Sequence, residues 1–379
     1  MPQALPALGR QQRSSATPLA LAWVALVLYA SLYPFTGWRW PPGLGLADLL
    51  RLPWPPWAVA VDVAFNVAGY APLGGLLLLA LRRSGVAMVW AVLLALALPA
   101  ALSYATEVTQ QFLPGRHPSL KDLAANAGGA ALGVVLALVA QALGLLGAWQ
   151  RARERWFLRD SAGALALLAL WPLTLLFPAP VPMGLGQGLV HLRELLALSL
   201  AGVDWAQHLY VLLAVEPTSA PLDPLREALI TAMGLLAPCL VAYSVARPGW
   251  RRLGLACGAL ALGFSGMTLS TALNYGPEHA LAWLTPYAVP GLVIGMIGAL
   301  LLAPLPRRLV AGVGLMVLTA LVAAVMQAPE DPYFAQSLRA WEQGRFVRFH
   351  GVAQWLGWLW PFAAMAWMFG RLARRDNPR

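Results

Sequence analysis

Runs of about 20 apolar residues recur along this chain, and each is long enough to cross a bilayer as a helix. Lipid offers no partner to backbone N–H and C=O groups, so a chain with such runs closes those bonds within helices. Composition agrees: the 379 residues are 59% hydrophobic and 11% charged, against roughly 25% charged in soluble domains. The expected fold class is all-α, a polytopic transmembrane helix bundle. Hydropathy places ten spans, at 17–35, 57–81, 86–110, 121–147, 161–178, 225–246, 253–273, 284–304, 309–327 and 351–370. Ten spans bring both termini to one side.

Charge orients the bundle. The net charge of +10 would point to nucleic acid in a soluble protein. Here the arginines cluster against span ends, as in Arg82-Arg83, Arg151 to Arg155, Arg247 to Arg252 and Arg307-Arg308. All these clusters fall in alternate loops, which the positive-inside rule makes cytoplasmic along with both termini. No nucleic-acid partner is expected; the partner is the lipid bilayer. Arg10 and Arg13 precede an apolar run without an A-x-A cleavage site, which reads as a retained signal anchor. Cys239 and Cys257 both fall in apolar spans and read as small packing residues.

Three polar sets interrupt the apolar runs. They are Asp62 with Asn66; Ser103, Glu107, Gln110 and Gln111; and Asp122 with Asn126, preceded by Arg116 and Lys121. Ionisable groups in a span cost roughly 2.5–3.5 kcal/mol each on insertion scales, so they mark candidate functional positions. With the arginine loops inside, all three sets approach the external face. Residues four apart share a helix face, which pairs Asp62 with Asn66, Asp122 with Asn126, and Glu107 with Ser103 and Gln111. The pattern D-x-A-x-N-x-x-G occurs at Asp62–Gly69 and again at Asp122–Gly129, a separation of 60 residues. This suggests a parallel repeat, although Ala and Gly are common enough here for chance to compete. Gly69, Gly128, Gly129 and Gly133 would admit close helix approach, and Pro72 would kink its span. Ser119 and Asp122 also fit the S-x-x-D helix-start pattern, so capping alone accounts for them equally well.

These elements resemble the VanZ-like family. The resemblance rests on Asn66-Val-Ala-Gly-Tyr-Ala-Pro72-Leu-Gly74, on Glu107-Val-Thr-Gln-Gln111-Phe-Leu-Pro-Gly-Arg116, and on Asp122-Leu-Ala-Ala-Asn126-Ala-Gly-Gly129. It covers about residues 20–147, and Gly128 stands where a leucine is expected. The resemblance implies an integral membrane protein of the bacterial cell envelope. The family is associated with low-level resistance to the glycopeptide teicoplanin, and no settled reaction comes with it.

The expected organisation is a four-helix VanZ-like membrane domain at 17–147, a basic cytoplasmic connector at 148–160, and a second membrane domain at 161–370. Two external segments belong to the latter. In 179–224, Glu194, Ala197, Ala201, Asp204 and His208 share one helical face, suggesting an interfacial helix. In 328–350, Tyr333, Trp341, Arg345, Phe346, Arg348, Phe349 and His350 mix aromatic and basic groups as interface anchors do.

Four functional readings stay open. In the first, the external polar site binds a lipid-linked glycan or phospholipid, with Arg116 and Lys121 on phosphate and Asn66, Asn126, Gln110 and Gln111 on hydroxyls. In the second, Glu107 is the acid or base of a membrane enzyme, with Asp62 and Asp122 positioning substrate or holding a divalent ion. A transporter fits less well, because transporter sites lie near the midplane. A non-catalytic scaffold is the fourth. No nucleophile–base motif, H-x-x-x-H or P-loop occurs, and Asp204 with His208 offers only two ligands, so neither metal nor cofactor is expected. Oligomeric state is not read from the sequence.

Overall fold

The computed structural model describes residues 16–33, 35–43, 45–56, 60–158, 160–177, 179–213, 222–328 and 347–373. Helices are the only extended elements among them. A lone antiparallel bridge joins Phe157 to Ala246. The chain divides into two compact units, with the boundary between Gln150 and Arg151.

The first unit holds α1 (Ala16–Leu32), the single turn α2 (Leu46–Leu49), α3 (Ala60–Arg83), α4 (Met88–Gln110), α5 (Leu120–Ala142) and the start of α6 (Leu145–Trp156). Helices α3, α4 and α5 are each long and apolar enough to cross a membrane. Most of their apolar surface points outward, including Leu94, Leu98, Val135 and Leu136. That distribution suits lipid as the solvent and would aggregate a soluble protein. The inner faces meet at Leu78, Ala91, Ala95, Val134 and Ala137.

The tightest contact runs between the parallel helices α3 and α5. A Cβ on Gly133 would land on the Ala71 carbonyl, one on Gly129 on Val67, and one on Gly74 on Ala130. Backbone lies against backbone, as small residues four apart allow. Gly69 and Gly128 do not share this role, since a Cβ on either would enter open space. The helical period explains the correction: it turns Gly128 outward and Gly129 and Gly133 toward α3. Pro72 sits inside α3, which continues to Arg83. The Trp23 indole of α1 donates to the nearby Gly69 carbonyl at 2.7 Å.

The second unit contains the rest of α6, then α7 (Ala162–Thr174), α8 (Gly188–Leu200), α9 (Gln207–Leu213), α10 (Pro224–Val245), α11 (Trp250–Tyr275), α12 (Ala288–Leu302), α13 (Arg307–Val325) and α14 (Val347–Ala373). Its axis is α10, whose most apolar stretch is 83% buried. Gly291 and Gly295 of α12 press on Ala228 and Ala232 of α10 by the same small-residue logic. Trp171, Met183, Leu240, Tyr243, Leu318 and Met368 fill the core around it.

Among the described residues six helices qualify as spans by length and composition: α3, α4, α5, α10, α11 and α13. The segments expected at 17–35, 161–178 and 284–304 form shorter apolar helices, α1, α7 and α12. At α7 the cause is visible. The helix stops after Thr174, and an irregular stretch follows in which Val181, Met183 and Leu185 are buried. Met183 has φ 60°, and Gly234 at the middle of α10 lies against its carbonyl. Thus 181–186, expected within an external segment, is packed inside the second unit. Buried irregular backbone is tolerable because protein groups satisfy it: Ser270 donates to the Leu176 carbonyl at 3.0 Å, and Gly186 N to Gly357 O at 3.0 Å.

The single amphipathic face expected from Glu194 to His208 is also interrupted. Helix α8 ends at Leu200, Gly202 turns with φ 81°, and α9 starts afresh at Gln207. Residues 329–346, with Tyr333, Trp341, Arg345 and Phe346, lie outside the described residues, as do the side chains of Arg348, Phe349 and His350.

Candidate functional site

At one end of the first unit, α1 and α4 finish while α3 and α5 begin. Every polar set singled out in the sequence of this unit arrives at that end. Ser119 is the N-cap of α5, with extended backbone (φ −148°, ψ 149°). Its hydroxyl oxygen accepts from Asp122 N at 3.0 Å while the hydroxyl donates to Asp122 Oδ2 at 3.0 Å. Asp122 Oδ1 accepts from Asn66 Nδ2 of α3 at 2.6 Å. Ser119 N donates to Glu107 Oε2 of α4 at 2.8 Å. One chain of hydrogen bonds therefore links α4, the α4–α5 loop, α5 and α3.

A second layer lies one helical turn deeper. Asn126 Nδ2 donates to Ser103 Oγ at 2.9 Å, and Thr106 donates to the Ser103 carbonyl at 2.8 Å. The buried Tyr70 hydroxyl faces Ser103, Thr106 and Glu107 without reaching hydrogen-bond geometry. Neither it nor Asn126 Oδ1 has a hydrogen-bond partner among the described residues. Leaving a polar group in that state costs about 1–3 kcal/mol.

The remaining polar residues hold backbone. Gln110 Nε2 donates to Ser31 O at 2.9 Å, and Arg116 donates to Tyr33 O at 2.7 Å and Ala30 O at 3.4 Å. These are the last carbonyls of α1, which a helix cannot satisfy itself and which favour a cation. Gln111 Nε2 donates to Leu49 O at 2.6 Å, and the Tyr104 hydroxyl to Leu50 O at 2.8 Å. Leu120 N donates to Pro53 O at 2.9 Å, and Arg39 N to Phe112 O at 3.0 Å. Together these bonds fold the α1–α3 connection over the end of the unit.

That connection, residues 35–56, carries the exposed side chains of Trp38, Trp40 and Trp54, together with exposed Arg39 and Arg51. Lys121 Nζ stands 5.9 Å from the Trp54 ring centroid, within cation–π range. The polar positions within the spans give no hint of this segment. Its available signal was Trp38-Arg39-Trp40-Pro-Pro and Leu52-Pro-Trp54-Pro-Pro-Trp57, a density of tryptophan, arginine and proline beyond what a plain connector needs.

Of the residues proposed from sequence, Asn66, Glu107 and Asp122 are joined in the Ser119-centred network, and Asn126 lies in the layer beneath. Gln110, Gln111 and Arg116 face carbonyls, Lys121 faces Trp54, and Asp62 is exposed in the first turn of α3. The two D-x-A-x-N-x-x-G copies are not equivalent: Asn66 reaches across to Asp122, whereas Asn126 reaches Ser103. Glu107 and Asp122 converge on Ser119 and not on a common ligand position. No group of three or more His, Cys, Asp or Glu is gathered among the described residues.

Residues 14–141 match the VanZ/LLP1 family model. That stretch is a VanZ-like domain, and among the described residues of the chain six helices are long and apolar enough to span a bilayer. No curated protein and no solved structure matches the chain. Within the VanZ-like domain the resembling elements are the tertiary ties themselves. Asn66 and Gly74 bind α3 to α5, Glu107 and Gln110 bind α4 to its neighbours, Arg116 closes α1, and Asp122 with Gly129 completes the α3 contact.

Proposed function

We propose that the VanZ-like domain binds an amphipathic component of the bacterial cell envelope, a lipid-linked glycan or a phospholipid, at this end. The observation that carries the reading is the 35–56 segment, which presents exposed Trp38, Trp40 and Trp54 beside Arg39, Arg51 and Lys121. Tryptophan faces suit the boundary between acyl chain and headgroup, and the cations suit phosphate. Arg116, Gln110 and Gln111 support the site by holding its floor. The arginine-rich turns support an orientation with this end on the external face of the cytoplasmic membrane, ten spans and both termini inside, by the positive-inside rule.

Binding is favoured over catalysis by Glu107. It is only 4% exposed, and one of its oxygens already accepts from Ser119 N. A general acid or base needs to reach the proton it transfers. In this reading Glu107 is a positioning residue.

Native mass spectrometry of the detergent-purified protein tests the proposal. The wild type should retain a phospholipid or polyprenyl-phosphate adduct. Trp54→Ala with Lys121→Gln should lose it, while Glu107→Gln keeps it. Equal retention in the double variant would remove the 35–56 surface from the reading. Single cysteines at Ser84 and His117, in a background without Cys239 and Cys257, test orientation: an impermeant thiol reagent should label the second from outside cells and not the first. The family's association with glycopeptide resistance predicts that deletion of this protein increases teicoplanin sensitivity; an unchanged inhibitory concentration would detach that role from the chain.

A further inference from the structure

The second unit has an end of its own where arginines gather. Arg247 N donates to Trp156 O at 2.9 Å, Leu158 N to Val245 O at 2.9 Å, and Phe157 bridges Ala246. This short pairing sets Arg155, at the end of α6, close in register to Arg247, in the α10–α11 turn. Arg251 opens α11 with its guanidinium 5.5 Å from the Trp250 ring centroid. Its Nε finds no acceptor among the described residues. Trp250 is 63% exposed, and Trp156 meets it edge-on at 5.1 Å. Arg307 follows two residues after Leu305, whose carbonyl Arg252 holds at 2.6 Å, so the α12–α13 turn adds charge to the same end.

The acidic residues of this strip are Glu154 and Asp160, fewer than the arginines. Like charges held close by a fixed backbone pairing repel unless an anion joins them. We propose that this end of the second unit is a binding surface for anionic phospholipid headgroups. The phosphate lies against Arg155, Arg247 and Arg251, and the exposed Trp250 sits at the boundary of headgroup and acyl chain. Two features select a lipid as the occupant. The arginines stand where the membrane-spanning α11 begins, and exposed Leu253 continues from Trp250 along its apolar face. Basic pockets between spans are suited to anionic headgroups, with tryptophan at the same level.

The test uses the full-length protein in detergent with equal amounts of phosphatidylglycerol and phosphatidylcholine of the same acyl chains, read by native mass spectrometry. The wild type should retain phosphatidylglycerol preferentially. An R155Q/R247Q/R251Q variant should lose roughly a hundredfold of that preference, from about 1 kcal/mol per basic residue near a headgroup layer. Arg83→Gln, which removes an exposed arginine of the first unit outside both surfaces, should leave it intact, which separates this surface from basic charge in general. Should the triple variant misfold, R155Q alone and a salt titration of the wild type decide, because screening weakens exposed charge contacts. Preferential retention that falls with R155Q and with rising salt supports the surface. Equal retention of the two lipids by the wild type, or a preference unmoved by the substitutions or by salt, overturns it.

Discussion

Ser119 does three things within one helical turn: it caps α5 through its hydroxyl, donates that hydroxyl to Asp122, and gives its backbone N–H to Glu107. Such a residue acts as a joint, and its partners differ in what they tolerate. Glu107→Gln preserves an acceptor for Ser119 N, so thermal unfolding in detergent should move by less than about 1 kcal/mol. Glu107→Ala leaves a buried N–H without a partner and should cost about 1–3 kcal/mol. Equal destabilisation by both would mean that the negative charge, and not the hydrogen bond, matters there. In the second unit Arg252 plays the comparable part. It is 1% exposed and donates to the carbonyls of Tyr243, Ala303 and Leu305 at 3.1, 2.8 and 2.6 Å. Arg252→Met should lower stability by roughly 3–5 kcal/mol, because three carbonyls lose a charged donor. A melting curve like that of the wild type would show that other donors replace it. From sequence Arg252 read only as a topology charge, since its neighbours Arg247 and Arg251 give the same local signal and burial is not a local property.

Helix α5 shows how finely an element divides its faces. Gly128, Gly129 and Gly133 look alike in sequence, yet only the latter two touch α3. Gly133→Ala would drive a Cβ into the Ala71 carbonyl and should cost about 1–3 kcal/mol by forcing the helices apart. Gly128→Ala enters open space and should be neutral or stabilising by up to about 0.5–1 kcal/mol through backbone entropy. Thermal melts of the two variants check the pair, and similar costs would dismiss the face assignment. Helical periodicity makes such faces readable in outline, and the polar stripes at Asn66, Glu107 and Asp122 were legible for that reason. Their partners were not. Asn66 lies 56 residues from Asp122, and Gln111 lies 62 from Leu49. Contacts at such range depend on how helices pack and not on spacing along one of them.

At the scale of the molecule, the two units have separate cores, one between α3 and α5 and the other around α10. A bulky residue at Gly234, whose Cβ would meet the Met183 carbonyl, should loosen the second unit alone. Hydrogen-exchange mass spectrometry of Gly234→Val should show faster exchange in α10 and the 181–186 stretch, with α3 and α5 still protected; loss of protection in all four would mean that the units unfold together. The apolar runs by themselves determined that the chain is helical and membrane-bound, because lipid leaves the backbone no other way to close its hydrogen bonds. Short motifs also marked the VanZ-like segment, since an amide or carboxylate in an apolar run is conspicuous wherever it points. Only the tertiary structure decided that Gln110, Gln111 and Arg116 face carbonyls, that the 35–56 segment covers the polar end, and that 181–186 is buried beside α10. Each of those outcomes turns on which groups remain unsatisfied once the helices have packed, and that is a property of the assembled bundle.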